Sequence, residues 1–386
     1  MNYKSILGAL GLGAFGVLVS CSGSGTAEQI ADGLVPADTV VYTADLDTIP
    51  SGVICGLEWI PLRGSRNGLF GNISKLIVRD SLLVVIDRPN CKAVAFNKQG
   101  DLLYQIANRG QGPEEYLEIA AASASDSVLY ILDNYSHRLQ QYSLADGSYV
   151  GAISVPFVAW DFEMMSDNDF LFTCLNNSPD SEIVPKPMDY AVWRTDSTMA
   201  VTHTYLPLPE NYFEMIGKRR YFTTDNEGNV IFHCYRYPGF FTFTQDPAQE
   251  PAFHYVNFGR SIPADKGLTH KDVRKKKYNY LEETPFVYDD NWIGLTTHHR
   301  DWDYIQVMLW HKASGKLLTN SQKWAGNHII YEMVGVNEDG FIAYLSSGQQ
   351  QYDSLIEHGF PRADSITEKH IEQDDCALVI YRFCKD

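Results

Sequence analysis

Asp80-Ser-Leu-Leu-Val-Val-Ile-Asp87, followed by Ala93-Val-Ala-Phe-Asn97 and Gly100-Asp101, is answered downstream by Asp126-Ser-Val-Leu-Tyr-Ile-Leu-Asp133, Leu139-Gln-Gln-Tyr142 and Gly147. Asp87 and Asp133 stand 46 positions apart, and so do Phe96 and Tyr142. A fixed period of this length marks a propeller or a solenoid. In each copy a continuous apolar strand ends in Asp, a second strand alternates more, and a Gly-containing turn sends the chain to a third. One such unit cannot bury its own faces, whereas units stacked around an axis bury them and leave only short edges.

Looser copies follow. Asp169-Phe-Leu-Phe-Thr-Cys174 goes with Ala191-Val-Trp-Arg194, Gly228-Asn-Val-Ile-Phe-His-Cys234 with Phe240-Phe-Thr-Phe243, and Trp292-Ile-Gly-Leu295 with Val307-Met-Leu-Trp310; a sixth begins at Asp339-Gly-Phe-Ile-Ala-Tyr344. The chain after about residue 50 carries almost no helical stripe, so the class is all-β. An open ring would leave an unpaired edge. The runs Gly52 to Leu62 and Cys376 to Tyr381 are therefore assigned to closure by strands from the two chain ends, which would bring Cys55 and Cys376 near enough to bond. Buried free thiols are the reading for most of the scattered cysteines.

Composition fits a folded chain: 386 residues, 45% hydrophobic, 20% charged and 13% aromatic. A formal charge of −17 repels polyphosphate backbones and argues against a nucleic-acid partner. Lys4 precedes an uncharged run, Ile6 to Ser20, too short to span hydrocarbon comfortably, and it reads as a signal peptide. The glycines Gly11, Gly13 and Gly16 match a dinucleotide-binding pattern only by letter, since no strand precedes them. Leu18-Val19-Ser20-Cys21 resembles the lipobox of bacterial lipoproteins, and the resemblance implies cleavage before Cys21 and lipidation of its sulfur and new amino group. The expected organisation is a signal peptide over 1–20, a lipid-anchored flexible tether over 21–50 and a β-propeller over 51–386. Ser22 after Cys21 resembles outer-membrane sorting signals, with the periplasmic or surface face left open.

Ile60-Pro-Leu62, Gly71-Asn-Ile-Ser-Lys75, Leu83-Val-Val-Ile-Asp87, Val94-Ala-Phe96, Arg109-Gly-Gln-Gly-Pro-Glu-Glu-Tyr116 and Tyr130-Ile-Leu-Asp133 together resemble the six-bladed β-propeller lipoproteins related to NHL repeats. The match covers about residues 55 to 155. The resemblance implies six blades rather than the seven that a 46-residue period would also fit, with insertions around 175–190, 245–285 and 350–375 taking up the excess length. Where that family usually has a third glycine, this chain has Glu114. Most members have no assigned reaction, so the likeness implies a fold and an envelope location.

Three clusters are candidates for chemistry. Arg109, Gln111, Glu114, Glu115 and Tyr116 form a loop between blades that reads either as an interblade clasp, with Arg109 and Glu115 paired and Tyr116 packed between blades, or as a ligand contact. His298, His299, Asp301 and Asp303 offer the imidazole and carboxylate groups that a divalent metal takes, although adjacent histidines on a strand point to opposite faces. No cofactor other than such a metal is expected. The basic run His270 to Lys277 reads as a solvated loop or helix face, or as a patch for anionic glycans or lipid head groups. The chain has no HExxH, GxSxG, Walker loop or paired CxxC.

The sequence thus leads to a lipid-anchored envelope protein whose propeller is a non-catalytic binding or scaffold module for a glycan, a peptide or an envelope protein. The alternative is an NHL-like metal-assisted lyase or hydrolase with its site in the central channel. Three or more His, Asp or Glu side chains converging on the axis would favour the enzyme, and a channel lined by apolar or unpaired polar groups would favour binding.

Overall fold

The computed structural model describes residues 33–42, 47–50, 52–64, 69–79, 81–166, 169–175, 189–264, 268–275, 277–298, 305–319, 329–346, 348–373 and 376–384. Its strands form six separate sheets. Blade 1 runs Lys75–Val78, Leu82–Asp87, Lys92–Asn97 and Leu102–Ile106, and blade 2 runs Ala121–Ala124, Val128–Asp133, Arg138–Ser143 and Tyr149–Ser154. Blade 3 starts at Asp161–Ser166, blade 4 at Phe222–Thr224, blade 5 at Tyr280–Leu281 and Phe286–Val287, and blade 6 at Met333–Asn337. These first strands touch one another in ring order and surround the axis. The molecule is a six-bladed β-propeller, as the resemblance implies, and each strand pair read from the sequence is an antiparallel neighbour.

The core follows from strand alternation. Leu82, Val84 and Ile86 face blade 2, where they pack with Ala122, Leu129, Ile131 and Tyr142. Leu83 and Val85 face the other way and pack with Ile60, Val334, Ile342 and Ile380 of blade 6. The same arrangement recurs at the other seams, so six hydrophobic clusters lie one between each pair of adjacent blades. Each fully buried aliphatic side chain contributes about 1.5–3 kcal/mol.

The repeat extends to hydrogen bonds and backbone. Asp87 is buried and accepts from the Gly71 amide at 2.6 Å and from the Asn90 amide and side chain. Asp133 accepts from the Leu117 amide at 2.8 Å, the Tyr135 and Ser136 amides and the Ser136 hydroxyl. Each carboxylate therefore closes the hairpin turn behind it and pins the loop that enters its blade. Cys91 and His137, at the ends of the two turns, both adopt left-handed φ, at 51° and 52°.

Closure uses both chain ends. Ala377–Phe383 is the third strand of blade 6, and Ile54–Pro61 pairs with it antiparallel as the fourth. The expected Cys55–Cys376 bond is corrected by this register: Ala377 lies opposite Pro61, and Phe383 opposite Ile54. Cys376 is thus at the far end of the ladder from Cys55, and the disulfide joins Cys55 to Cys384, with Cα atoms 5.0 Å apart. Cys91, Cys174 and Cys234 are buried free thiols, and Cys376 is a half-buried one beside the Tyr344 hydroxyl at 3.0 Å.

Two short strands lie within the stretch read as a tether. Asp38–Val41 adds in parallel to the outer strand of blade 4, and Asp47–Thr48 to that of blade 5. Asp38 holds this addition through His254 Nδ1 at 2.8 Å and Lys312 Nζ at 2.9 Å. The expected 350–375 insertion is a helical pair, Gly348–Glu357 and Ser365–Glu372, between the second and third strands of blade 6. It packs on Trp59, whose ring meets Tyr352 edge-on at 4.9 Å.

Candidate functional site

Along the axis lies a cavity of about 690 Å³, a size suited to a small ligand. Its wall, drawn from all six blades, mixes apolar residues such as Ile60, Leu76, Val78 and Val336 with charged and polar ones such as Glu58, Arg79, Asp225 and Asn337. The polar groups that bear on one another most closely are Lys75, Glu163 and Arg220 with their neighbours.

Lys75 opens the first strand of blade 1 and reaches Glu163 of blade 3 at 2.6 Å. Ser123 of blade 2 donates its hydroxyl to the other oxygen of Glu163. Glu163 is placed by alternation: in Asp161-Phe-Glu-Met164 the two acids share one face of the strand while Phe162 and Met164 enter the core between blades 2 and 3. Asp161 accepts from the Tyr221 and Phe222 amides at 2.6 and 3.1 Å, which locks the entry of blade 4 to blade 3. Burial raises its pKa, opposed by the Lys75 charge.

Arg220 stands just before the first strand of blade 4 and is 2% exposed. Its guanidinium lies over the Phe286 ring of blade 5 at 4.8 Å and donates Nη2–H to the Met333 carbonyl of blade 6 at 2.9 Å. Nε and Nη1 are buried and meet no acceptor. Burial lowers its pKa against the pull of Glu283 and Glu332.

Beside this end of the channel a second cavity of about 350 Å³ is lined by Arg219, Glu282, Glu283, Tyr331 and Glu332 among others. Arg219 ties two of these acids, Glu283 at 3.5 Å and Glu332. Behind it sits a buried group of ionisable side chains. Glu214 accepts from the Tyr235 amide at 2.6 Å and the Tyr212 hydroxyl at 3.1 Å, and burial lifts its pKa to about 7. Lys218 donates to the Leu281 and Glu282 carbonyls and lies over the Tyr235 ring, and burial lowers its pKa. His233 has a ring nitrogen against each of two carbonyls, Gly239 at 2.6 Å and Leu281 at 3.2 Å, yet burial holds its pKa well below 6.5. A neutral ring carries one N–H, so one of those carbonyls faces a lone pair.

The loop candidates Arg109, Gln111, Glu114, Glu115 and Tyr116 do not line the axial cavity. Tyr116 is fully buried between blades 1 and 2 and donates its hydroxyl to the Cys91 carbonyl at 2.8 Å. Glu115 folds back onto the Gly112 amide at 2.7 Å, its carboxylate so close to Gly110 that a Cβ there would meet it at 2.0 Å. The Glu114 and Glu115 carbonyls accept from Tyr142 and Gln140 of blade 2. Glu114 itself has no left-handed φ, so the departure from glycine costs nothing there. Arg109 and Gln111 are exposed. Tyr116 packs between the blades as the clasp reading expects, but the expected Arg109–Glu115 pair is corrected: Glu115 bonds the Gly112 backbone instead.

His298 stacks on Tyr280 at 4.8 Å. His299, Asp301 and Asp303 lie outside the described residues, as does Cys21. Among the described residues no three His, Cys, Asp or Glu side chains are grouped as a metal would require. Part of the basic run is a short helix, His270–Arg274, capped by Thr269. No helix among the described residues is long and apolar enough to cross a membrane.

Sequence reasoning missed Lys75, Asp161, Glu163 and Arg220 as a set. They come from three separate places in the chain, so no linear motif joins them. The one available signal was local: two acids at alternate positions in an otherwise core-forming strand.

The family model described as domain of unknown function DUF4934 matches residues 51–376. A crystal structure of a candidate exported protein from Bacteroides fragilis is similar over 90% of this chain and 100% of its own, with TM-score 0.69 and 16% identity. A member of the DUF4221 family from Bacteroides vulgatus is similar over 86% of this chain and 98% of its own, with TM-score 0.52 and 11% identity. At these identities the likeness is one of fold. No curated protein matches the sequence.

Proposed function

The chain belongs to the DUF4934 family, and from that premise we propose that it is a lipid-anchored envelope protein whose propeller is a non-catalytic binding module, receiving its ligand in the axial channel. The observation that carries this reading is the channel itself: a cavity of about 690 Å³ on the axis, lined by charged and polar side chains set among apolar ones, with one arginine whose donors are not all used. A concave site of this size in which placed polar groups converge can orient a small ligand. Lys75 and Glu163 are paired at 2.6 Å, and the second oxygen of Glu163 takes the Ser123 hydroxyl, so this carboxylate in the channel is already occupied.

Envelope location is supported by the apolar run before Cys21 and by the description of the Bacteroides fragilis relative as a candidate exported protein. Lipidation of Cys21 supplies more than one acyl chain, which stable anchoring requires. Mass spectrometry of the membrane fraction tests it: a diacylglyceryl group on Cys21 is expected, and an unmodified Cys21 or an intact residue 1–20 segment would remove the anchor.

Binding is tested by pulldown from the native envelope beside a glycan array, with Thr224→Trp as the control. Thr224 is half-buried on the channel wall, so an indole there fills the mouth without entering an interblade core. Captured material that is lost with Thr224→Trp supports the channel. Capture that survives the plug places the binding surface elsewhere.

A further inference from the structure

Of the cations that line the channel, most are matched on the protein itself. Lys75 is paired with Glu163, and Arg382 bonds Glu58. Arg79 donates Nε, Nη1 and Nη2 to the Ser125, Val78 and Ala124 carbonyls. Arg220 differs: among the described residues its guanidinium makes one hydrogen bond, to the Met333 carbonyl, and Nε and Nη1 are buried without an acceptor.

The carboxylates around Arg220 each face another partner and none is hydrogen-bonded to its guanidinium, although Glu283 Oε2 is buried with no hydrogen bond. Asp161 takes two backbone amides, Glu163 takes Lys75 and Ser123, and Glu283 and Glu332 take Arg219. Leaving a guanidinium donor buried and unbonded costs about 1–3 kcal/mol or more. The position is nonetheless built firmly: Phe286 supports one face of the group, the Met333 carbonyl fixes one edge, and the Arg220 and Tyr221 carbonyls are held by the Thr284 hydroxyl. An arginine held firmly, buried and short of an acceptor, on the wall of the axial cavity, has the donors to receive an oxygen anion that arrives from outside.

We propose that Arg220 receives the carboxylate of the channel ligand, so that the ligand class is a small organic acid. This rests on the channel being the binding site. The acid could be a peptide C-terminus or a sugar acid, which share the recognising group.

The test uses matched pairs on the processed chain, followed by ligand-observed NMR and calorimetry: 4-fluorobenzoate against 4-fluorobenzamide, N-acetyl-dialanine against its amide, and glucuronate against glucose. In at least one pair the acid should bind about tenfold or more tightly than its neutral partner. The peptide and sugar pairs tell which body is preferred. Arg220→Met, which keeps the packing over Phe286, should bring the acid down to the neutral partner's affinity, and Arg220→Lys should recover part of the loss. The acid-against-neutral comparison in wild type stands even if Arg220→Met does not fold. Equal binding of acid and neutral members, or Arg220→Met binding the acid as wild type does, overturns the proposal; so does the absence of any acid binding at millimolar concentration. If neutral probes or array glycans still bind and Thr224→Trp blocks them, the anion receptor fails while the channel site stands. If nothing binds in the channel, both fail.

Discussion

Blades 1 and 2 and the entry to blade 4 handle buried charge in opposite ways. Asp87 and Asp133 are fully buried, yet both oxygens of each are bonded to turn and loop donors in the same pattern, 46 residues apart. Around blade 4, Glu214, Lys218, Arg220 and His233 are buried with an incomplete set of partners or in a disfavoured protonation state. The difference teaches where to look: in blades 1 and 2 the buried carboxylates are structural and satisfied, and around blade 4 buried charges are held at a cost that folding alone does not require.

The comparison breaks if the regular aspartates prove dispensable. Asp133→Ala removes the acceptor of three amides and a hydroxyl, and should lower stability by about 4 kcal/mol in urea melts; Asp87→Ala should cost nearly as much. Losses under about 1 kcal/mol would mean that the turns hold themselves.

The next largest effect sharpens the other half. The folded-state pKa of Glu214, about 7, lies above its ordinary 4.5. The folded form therefore binds more protons than the unfolded one between those values, and this group's contribution to stability falls as pH rises through them. His233 acts with the opposite sign, since its folded pKa lies below 6.5 and stability is lost as pH falls beneath that value. The two offset each other in the wild type at mildly acidic pH. Glu214→Gln removes one of them, so its stability relative to wild type should grow by about 3 kcal/mol between pH 5 and pH 8. A pH-independent difference would show that Glu214 titrates alike in both states.

Smaller effects test the loop between blades 1 and 2. Tyr116→Phe, which loses the bond to the Cys91 carbonyl, and Glu115→Ala, which loses the Gly112 clamp, should each cost about 1 kcal/mol without changing ligand capture. Gln111→Ala, at an exposed site, should stay within about 0.5 kcal/mol of wild type. Loss of capture by either loop variant would return this segment to the list of ligand contacts.

Legibility in the sequence followed the same division. The first two blades could be read because identical duties recur at identical spacing, as with Asp87 and Asp133, and closure could be read because Gly52 to Leu62 and Cys376 to Tyr381 are apolar runs with no other partner in the repeat. The disulfide partner could not, because antiparallel register is fixed by pairing across more than three hundred residues and not by proximity of the runs. Asp38–Val41 gave no strand signal because only Val40 of its four residues is buried. Lys75, Glu163 and Arg220 were silent for a related reason: each is a single departure in a separate blade, and only the ring makes them neighbours.

Closure has a bearing on the order of synthesis. Ile54–Pro61 is made among the first strands of the body, yet its partner Ala377–Phe383 is among the last. The antiparallel strands of every other blade can pair from segments that emerge one after another, with Asp38–Val41 and Asp47–Thr48 added only at the outer edges of blades 4 and 5, whereas blade 6 must wait for the whole ring, with Ile60 and Trp59 meanwhile lacking cover. Such long-range pairing is slow and exposed to misassembly. The Cys55–Cys384 bond then works as a latch that can set only on a finished ring, so its oxidation reports completed molecules and distinguishes them from those still one strand short.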